Sequence, residues 1–190
     1  MGINLTIDEG WLVGARHVIS PNADERPSGE LVSMIVVHGI SLPPGAYGGA
    51  WVDALFTNTL NEEAHPYFQS ISKLRVSAHV MIDRFGKINQ YVSFDRRAWH
   101  AGASCFQGRE CCNDFSIGIE LEGCDDDAYE VVQYEKLASI ISALMITYPK
   151  ISRQAVVGHC DIAPGRKTDP GPAFDWGKLN SLLEIQESSV

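Results

Sequence analysis

The hydrophobic pattern is clearest between Leu31 and His38, where LVSMIVVH forms a short, β-branched apolar run bounded by turn-forming residues. It predicts a buried strand. The run breaks into SLPPGAYGG, whose prolines and glycines force a loop. Trp51 to Leu60 predicts a helix, followed by a loop through His65 and Pro66. Val76–Ile82 and Lys87–Val92 flank Arg84-Phe85-Gly86 and predict a hairpin. Phe115 to Glu122 alternates: Phe115, Ile117, Ile119 and Leu121 take one face, and Ser116, Gly118, Glu120 and Glu122 the other. A solvated strand face would account for those polar positions, Glu122 above all.

From Ala128 to Tyr148 the period changes to that of a helix. Asp127 and Glu130 stand at capping-box spacing, and Leu137, Ile140, Ile141, Leu144, Met145 and Tyr148 form one apolar stripe. That stripe is core packing and says nothing about function. Ala155–Gly158 predicts a short strand ending at His159, then a Pro/Gly-rich loop from Ala163 to Pro172, and a last short helix near Trp176 to Leu183. The first thirty residues, rich in Pro, Asn, Asp, Gly and Ser, predict an irregular lead-in. The sum is an α+β (α/β-like) fold: a central mixed β-sheet flanked by helices.

A chain of 190 residues makes one domain. With 15 basic against 24 acidic side chains, the net charge of −9 argues against a nucleic-acid backbone or an anionic membrane as partner. The five cysteines are an odd number, Cys111 and Cys112 are adjacent, and no CxxC pair occurs. A disulfide scaffold, a zinc ribbon and a thioredoxin motif are therefore not indicated. Met1 to Arg16 has neither a basic start nor an apolar run, which predicts no signal peptide. No stretch approaches the roughly 20 apolar residues of a membrane span. The expectation is a cytoplasmic chain with reduced thiols.

Of six histidines, His38 and His159 share a context: each ends an apolar strand where the chain turns into a Pro/Gly loop. Strand ends of this kind face the crevice where α/β folds build their sites. Imidazole is a common zinc ligand, and Asp169 in KTDPG is the candidate third ligand. Each has a plain alternative, since a strand-end histidine is often structural and Asp before Pro-Gly is a good turn former. Glu120 lies on the polar face of its strand with room left by Gly118, and could serve as a general base. Lys167 could set a cation beside an oxyanion, or be a surface lysine. Trp99 and His100 lie in the small-residue loop AWHAG, as ligand contacts or as a core pair. Cys160 follows His159, and strand alternation would turn it to the opposite face. His79, mid-strand among apolar residues, reads as structural or as support to a ligand.

Taken together and in order, VVHGISLPPG, HPYF, LRVSAHVMI, AWHAG, GRECCNDFSIGIELEG and GHCDIAPGRKTDPGPAFDW resemble the AmpD-type N-acetylmuramoyl-L-alanine amidases. These belong to the zinc amidase superfamily shared with phage amidases and peptidoglycan-recognition proteins. The resemblance runs from about Gly10 to Trp176 and implies a single zinc amidase domain over residues 1–190, with its core at about 10–185. It implies one Zn2+ per chain on His38, His159 and Asp169, with Glu120 and Lys167 catalytic. It also suggests Arg75, Trp99 and His100 as substrate contacts: Trp99 and His100 on the sugar side, Arg75 toward a stem-peptide carboxylate. One departure is visible: the motif around His38 commonly reads HNIS, and here it reads HGIS, so Gly39 removes an amide beside the ligand.

The implied reaction is hydrolysis of the amide between the lactyl group of (1,6-anhydro-)N-acetylmuramic acid and L-alanine, in cytoplasmic peptidoglycan recycling. The expected partner is a small muropeptide substrate, with no nucleic acid and no membrane, and the chain is expected to be a monomer. The alternative is a muropeptide-sensing module of the same fold that does not cut.

Overall fold

The computed structural model describes residues 5–187. Its frame is a six-stranded sheet of β1 (Arg16–His17), β2 (Met34–Ile40), β3 (Val80–Ile82), β4 (Ile88–Gln90), β5 (Ser116–Glu122) and β6 (Val156–Gly158). The order is β6-β2-β5-β3-β4-β1. Strands β6, β2, β5 and β3 run parallel; β4 turns back antiparallel on β3, and β1 is parallel to β4. The sheet is mixed, as the pattern predicts. Parallel strands need cover on both faces, and Met34–Val37 of β2 are accordingly fully buried.

Five helices accompany the sheet among the described residues: α1 (Trp51–Phe56), α2 (Phe68–Ile71), α3 (Val131–Thr147), α4 (His159–Ile162) and α5 (Trp176–Glu187). On one face Ile35, Val37, Ile117, Ile119 and Leu121 pack against Leu137, Ile140, Ile141 and Leu144 of α3 and Leu179 and Leu183 of α5. Each such side chain contributes about 1.5–3 kcal/mol when fully buried, so this layer holds the sheet together. On the other face Met34 and Val36 meet Ala101, Phe115 and Ile162, while Met81 meets Phe56, Phe68 and Tyr91.

Several boundaries differ from the sequence pattern for identifiable reasons. Strand β2 starts three residues late and runs past His38, because its last residues pair with Glu120–Glu122. Helix α1 stops at Phe56, and Asn58 follows in the left-handed region at φ 62°. The segment after His65-Pro66 contains α2, whose Phe68 is buried against Trp51. Helix α3 begins at Val131, and the N–H of its N-cap, Glu130, donates to Gln133 Oε1 at 2.9 Å. The cap is thus Glu130 with Gln133, and Asp127 instead accepts from the Tyr47 hydroxyl. The Gln133 amide also donates to Ile82 O and Glu122 O, pinning the start of α3 to the ends of β3 and β5.

The polar face of β5 is not solvated: all seven of its residues are buried. Glu122 accepts the Gly48 N–H at 2.5 Å and the Arg84 N–H at 3.1 Å, joining the loop after β2 to the hairpin turn. Phe115 lies just before β5 and packs with Met34 and Val36 rather than with Ile117. The lead-in is also more ordered than its composition suggests. It supplies β1, and Ala23–Asp24 pairs antiparallel with Arg97–Ala98.

Arg26 anchors this lead-in. Its Nη1 donates to the carbonyls of Asn113 and Asp114, and its Nη2 to those of Phe94 and Ser116, at 3.0–3.1 Å. Burial lowers its pKa to about 10, which leaves it charged at neutral pH. Replacing Arg26 with Met strands four carbonyls, so urea unfolding should show a loss of about 2–4 kcal/mol. Lysine should recover little of it, having no planar fork to span them.

Candidate metal centre and active site

The register of three neighbouring strands builds the site. Glu120 on β5 pairs with His38 on β2, and Gly158 on β6 pairs with Val37, so His159 follows level with His38. All three residues sit at the C-terminal ends of parallel strands, where α/β folds open their crevices. They line one cavity of about 490 Å3, together with Asp169, Lys167 and Trp99.

His38 Nδ1 lies 2.9 Å from His159 Nδ1 and 3.2 Å from Asp169 Oδ2, and His159 Nδ1 lies 3.1 Å from the same oxygen. His38 and His159 are buried, and Asp169 is partly buried. The outer nitrogens are engaged elsewhere: His38 Nε2 meets His100 Nδ1 at 2.9 Å, and His159 Nε2 meets Ala101 O at 3.2 Å. Burial holds His38 down to about 4, against the pull of Asp169, so at neutral pH it is an uncharged imidazole. Burial opposes the charge on Asp169, but its bonds to His159 and His38 outweigh that and keep the carboxyl below the usual range.

Two imidazole nitrogens and a carboxylate oxygen facing one another this closely fit a single cation. Ligands bound at about 2.0–2.2 Å around tetrahedral zinc stand roughly 3.3 Å apart, close to the separations seen here. Nitrogen and carboxylate donors of this mix suit zinc, and three protein ligands leave a fourth position open.

The loops hold these donors from several sides. Asn113 Oδ1 accepts from the backbone N–H groups of both His100 and Ala101. Ala101 O also receives Arg166 Nη2 at 2.6 Å, so one carbonyl steadies His159 and the loop that bears Lys167. The Asp169 carbonyl accepts from Cys160 N, and Tyr129 donates its hydroxyl to Pro170 O at 2.9 Å. A Cβ on Gly39 would stand 2.3 Å from that hydroxyl, so a phenol takes the space beside His38. Cys160 belongs to α4, not to a strand, so strand alternation does not apply to it, and its thiol is not among the clustered donors of the described residues.

Glu120 is buried, and its Oε2 has no hydrogen-bond partner among the described residues. Burial, reinforced by the charge of Asp169 and opposed by Lys167, pushes its carboxyl well above the usual range. Lys167 is exposed on the cavity wall. Trp99 lies on the same wall with its indole N–H on Asp24 Oδ1. Arg75 is exposed, between cavity-lining Leu74 and Val76. His100, placed by its motif on the sugar side, has both ring nitrogens occupied by His38 and Ser116. His79 is structural: its Nδ1 accepts the Gly118 N–H and its Nε2–H donates to Arg96 O. The supporting roles of Ser116, Asn113 and Arg166 carry no sequence signal beyond their places in the motifs.

A mixed sheet with a His-His-Asp cluster and a buried carboxyl at its strand ends suits metal-assisted hydrolysis, and comparison with known proteins gives the class. The family model described as N-acetylmuramoyl-L-alanine amidase matches residues 28–172, and the chain belongs to that family. It is therefore an N-acetylmuramoyl-L-alanine amidase. It is 59% identical over 179 residues to the 1,6-anhydro-N-acetylmuramyl-L-alanine amidase AmpD of Escherichia coli (strain K12), covering 94% of this chain and 97% of that one. The crystal structure of a selenomethionine derivative of AmpD superposes with a TM-score of 0.91 at 60% identity, over 93% of this chain and 98% of the other. The E. coli amidase AmiD, solved with the substrate anhydro-N-acetylmuramic acid-L-Ala-D-gamma-Glu-L-Lys, gives a TM-score of 0.58 at 26% identity, over 94% of this chain and 65% of that one.

The raised pKa of Glu120 has a stability consequence. A carboxyl that binds its proton more tightly folded than unfolded contributes stability at low pH and loses it as pH rises above the unfolded value. In metal-free protein, Glu120→Gln should therefore raise Tm near neutral pH, with the advantage shrinking toward about pH 4, the ordinary glutamate range. Thermal melts of the two proteins across that range check it.

Proposed function

We propose that the chain is a zinc-dependent amidase acting on 1,6-anhydromuropeptides during cytoplasmic peptidoglycan recycling, as a monomer with one ion per chain. The observation that carries this reading is the convergence of His38, His159 and Asp169 beside a buried carboxylate with a free oxygen, Glu120, in one cavity. Similarity to AmpD over nearly the whole chain supports the anhydro sugar, and no described helix is long and apolar enough to cross a membrane.

Zinc held by the two imidazoles and Asp169 would supply a Lewis acid for the scissile carbonyl and acidify water toward a pKa of about 7. Glu120 takes the proton from the attacking water and returns it to the leaving L-alanine nitrogen. Its burial and its free Oε2 suit that shuttle, since no other group competes for the proton. Lys167 sets its ammonium against the developing oxyanion, a contribution of about 3 kcal/mol. Trp99 lies against the sugar, and Arg75 on the rim receives a stem-peptide carboxylate. A purely sensing role would have no use for a buried, unpartnered base.

Glu120→Gln should retain zinc and lose turnover, while His159→Ala should lose the metal itself. Metal analysis alongside hydrolysis of anhydromuramyl-peptide separates the two, and equal turnover in Glu120→Gln would sink the assignment. Chelation should abolish hydrolysis and zinc should restore it. The non-anhydro counterpart, assayed in parallel, tests the sugar preference.

A further inference from the structure

We propose that His100 and Ser116 are positioning residues that fix the tautomer of His38 through a one-way hydrogen-bond relay ending on the Cys112 carbonyl. This rests on the metal reading given above. The relay is read from its far end. The Cys112 oxygen can only accept, and Ser116 Oγ lies 2.5 Å from it, so the serine hydroxyl spends its proton there. The serine oxygen then faces His100 Nε2 at 3.2 Å as an acceptor, which places the single N–H of His100 on Nε2. His100 Nδ1 is left as a lone pair 2.9 Å from His38 Nε2, which must carry the hydrogen between them. The other nitrogen of His38, Nδ1, is thereby bare, and it is the atom that faces His159 and Asp169.

His159 obtains the same result in one step, because its Nε2 meets a carbonyl directly. Among the described residues His38 has no carbonyl within hydrogen-bond reach of Nε2, and it reaches one through two side chains. The alternative tautomer would put a hydrogen on Nδ1, in the middle of the donor triangle, and would exclude a cation.

The relay has a built seat. The ring of His100 lies over Gly118, where a Cβ would stand 2.4 Å from its Cγ, and its backbone N–H is held by Asn113 Oδ1 at 3.1 Å. Ser116, Gly118 and Glu120 occupy alternate positions of β5, so the strand that carries the base also carries the relay. With both nitrogens of His100 taken, its ring offers substrate no hydrogen bond. Its effect on the reaction passes through His38.

The test is zinc affinity, measured by competition with a chelator on metal-free wild type and on Ser116→Ala, His100→Leu and His100→Asn. Asparagine keeps an acceptor oxygen near the Nδ1 position, and leucine does not. Ser116→Ala and His100→Leu should bind zinc about 10–100-fold more weakly, the usual cost of removing a group that orients a ligand. His100→Asn should stay near wild type. The cobalt(II)-substituted protein adds a readout that loss of packing alone would not move: the visible bands should change in Ser116→Ala, although no ligand has been altered. Wild-type affinity in both Ser116→Ala and His100→Leu overturns the relay, as does an asparagine variant as weak as the leucine one. Ser116→Ala removes one oxygen and decides the matter if the leucine variant does not fold. Failure of the wild type itself to bind zinc would overturn the metal reading, a distinct result.

Discussion

Parallel pairing in register is the constraint on which the site depends. Glu120 opposite His38, and Gly158 opposite Val37, put Glu120, His38 and His159 on one line across strands about 4.8 Å apart. A slip of one residue would send His38 to the face covered by α3 and α5 and bring Val37 or Gly39 to the crevice. The apolar layer of Ile35, Val37, Ile117, Ile119 and Leu121 resists such a slip, because the same shift would expose it. Core packing and the alignment of the candidate site are therefore two readings of one register.

An acidic protein that takes an acidic muropeptide, as proposed, has to keep its own negative charge out of the cavity. Burial holds His38 at about 4, lowers His100 and raises Glu120, so these three groups of the cavity are uncharged at neutral pH without a metal. Asp169 remains the fixed negative charge among the ligands, and Lys167 stands on the wall against it. Bound zinc would then turn the local balance positive. The excess of acidic residues elsewhere acts over longer distances, where salt screens it.

The strands at the centre and the long helix were legible because period and apolar content report burial directly. His38, His159 and Glu120 were legible because each closes or lies within such a strand, and the motif resemblance joined them to Asp169. What was not legible depends on partners far away in sequence. Strand β1 and the pairing of Ala23–Asp24 are made by backbone groups, which leave no side-chain pattern. The polar face of β5 reads as solvated until loops cover it, and Glu122 looks like a surface residue until Gly48 and Arg84 present their N–H groups. His100 reads as a substrate contact because its loop is small and open, and only its distances to His38 and Ser116 show what its nitrogens do.

The two N–H groups held by Glu122 have a bearing on how this molecule can change over time. One belongs to the loop that follows the ligand strand, the other to the turn between β3 and β4, and the carboxylate joining them stands two positions beyond Glu120 on the same side of the same strand. An insertion or deletion between Ser41 and Gly49 must either preserve that junction or strand a buried carboxylate two positions from Glu120. The segment from Tyr67 to Val76, which also lines the cavity, has no such hydrogen bond to β5 among the described residues. A change of length in residues 41–49 therefore carries a cost through Glu122 that the same change in residues 67–76 does not.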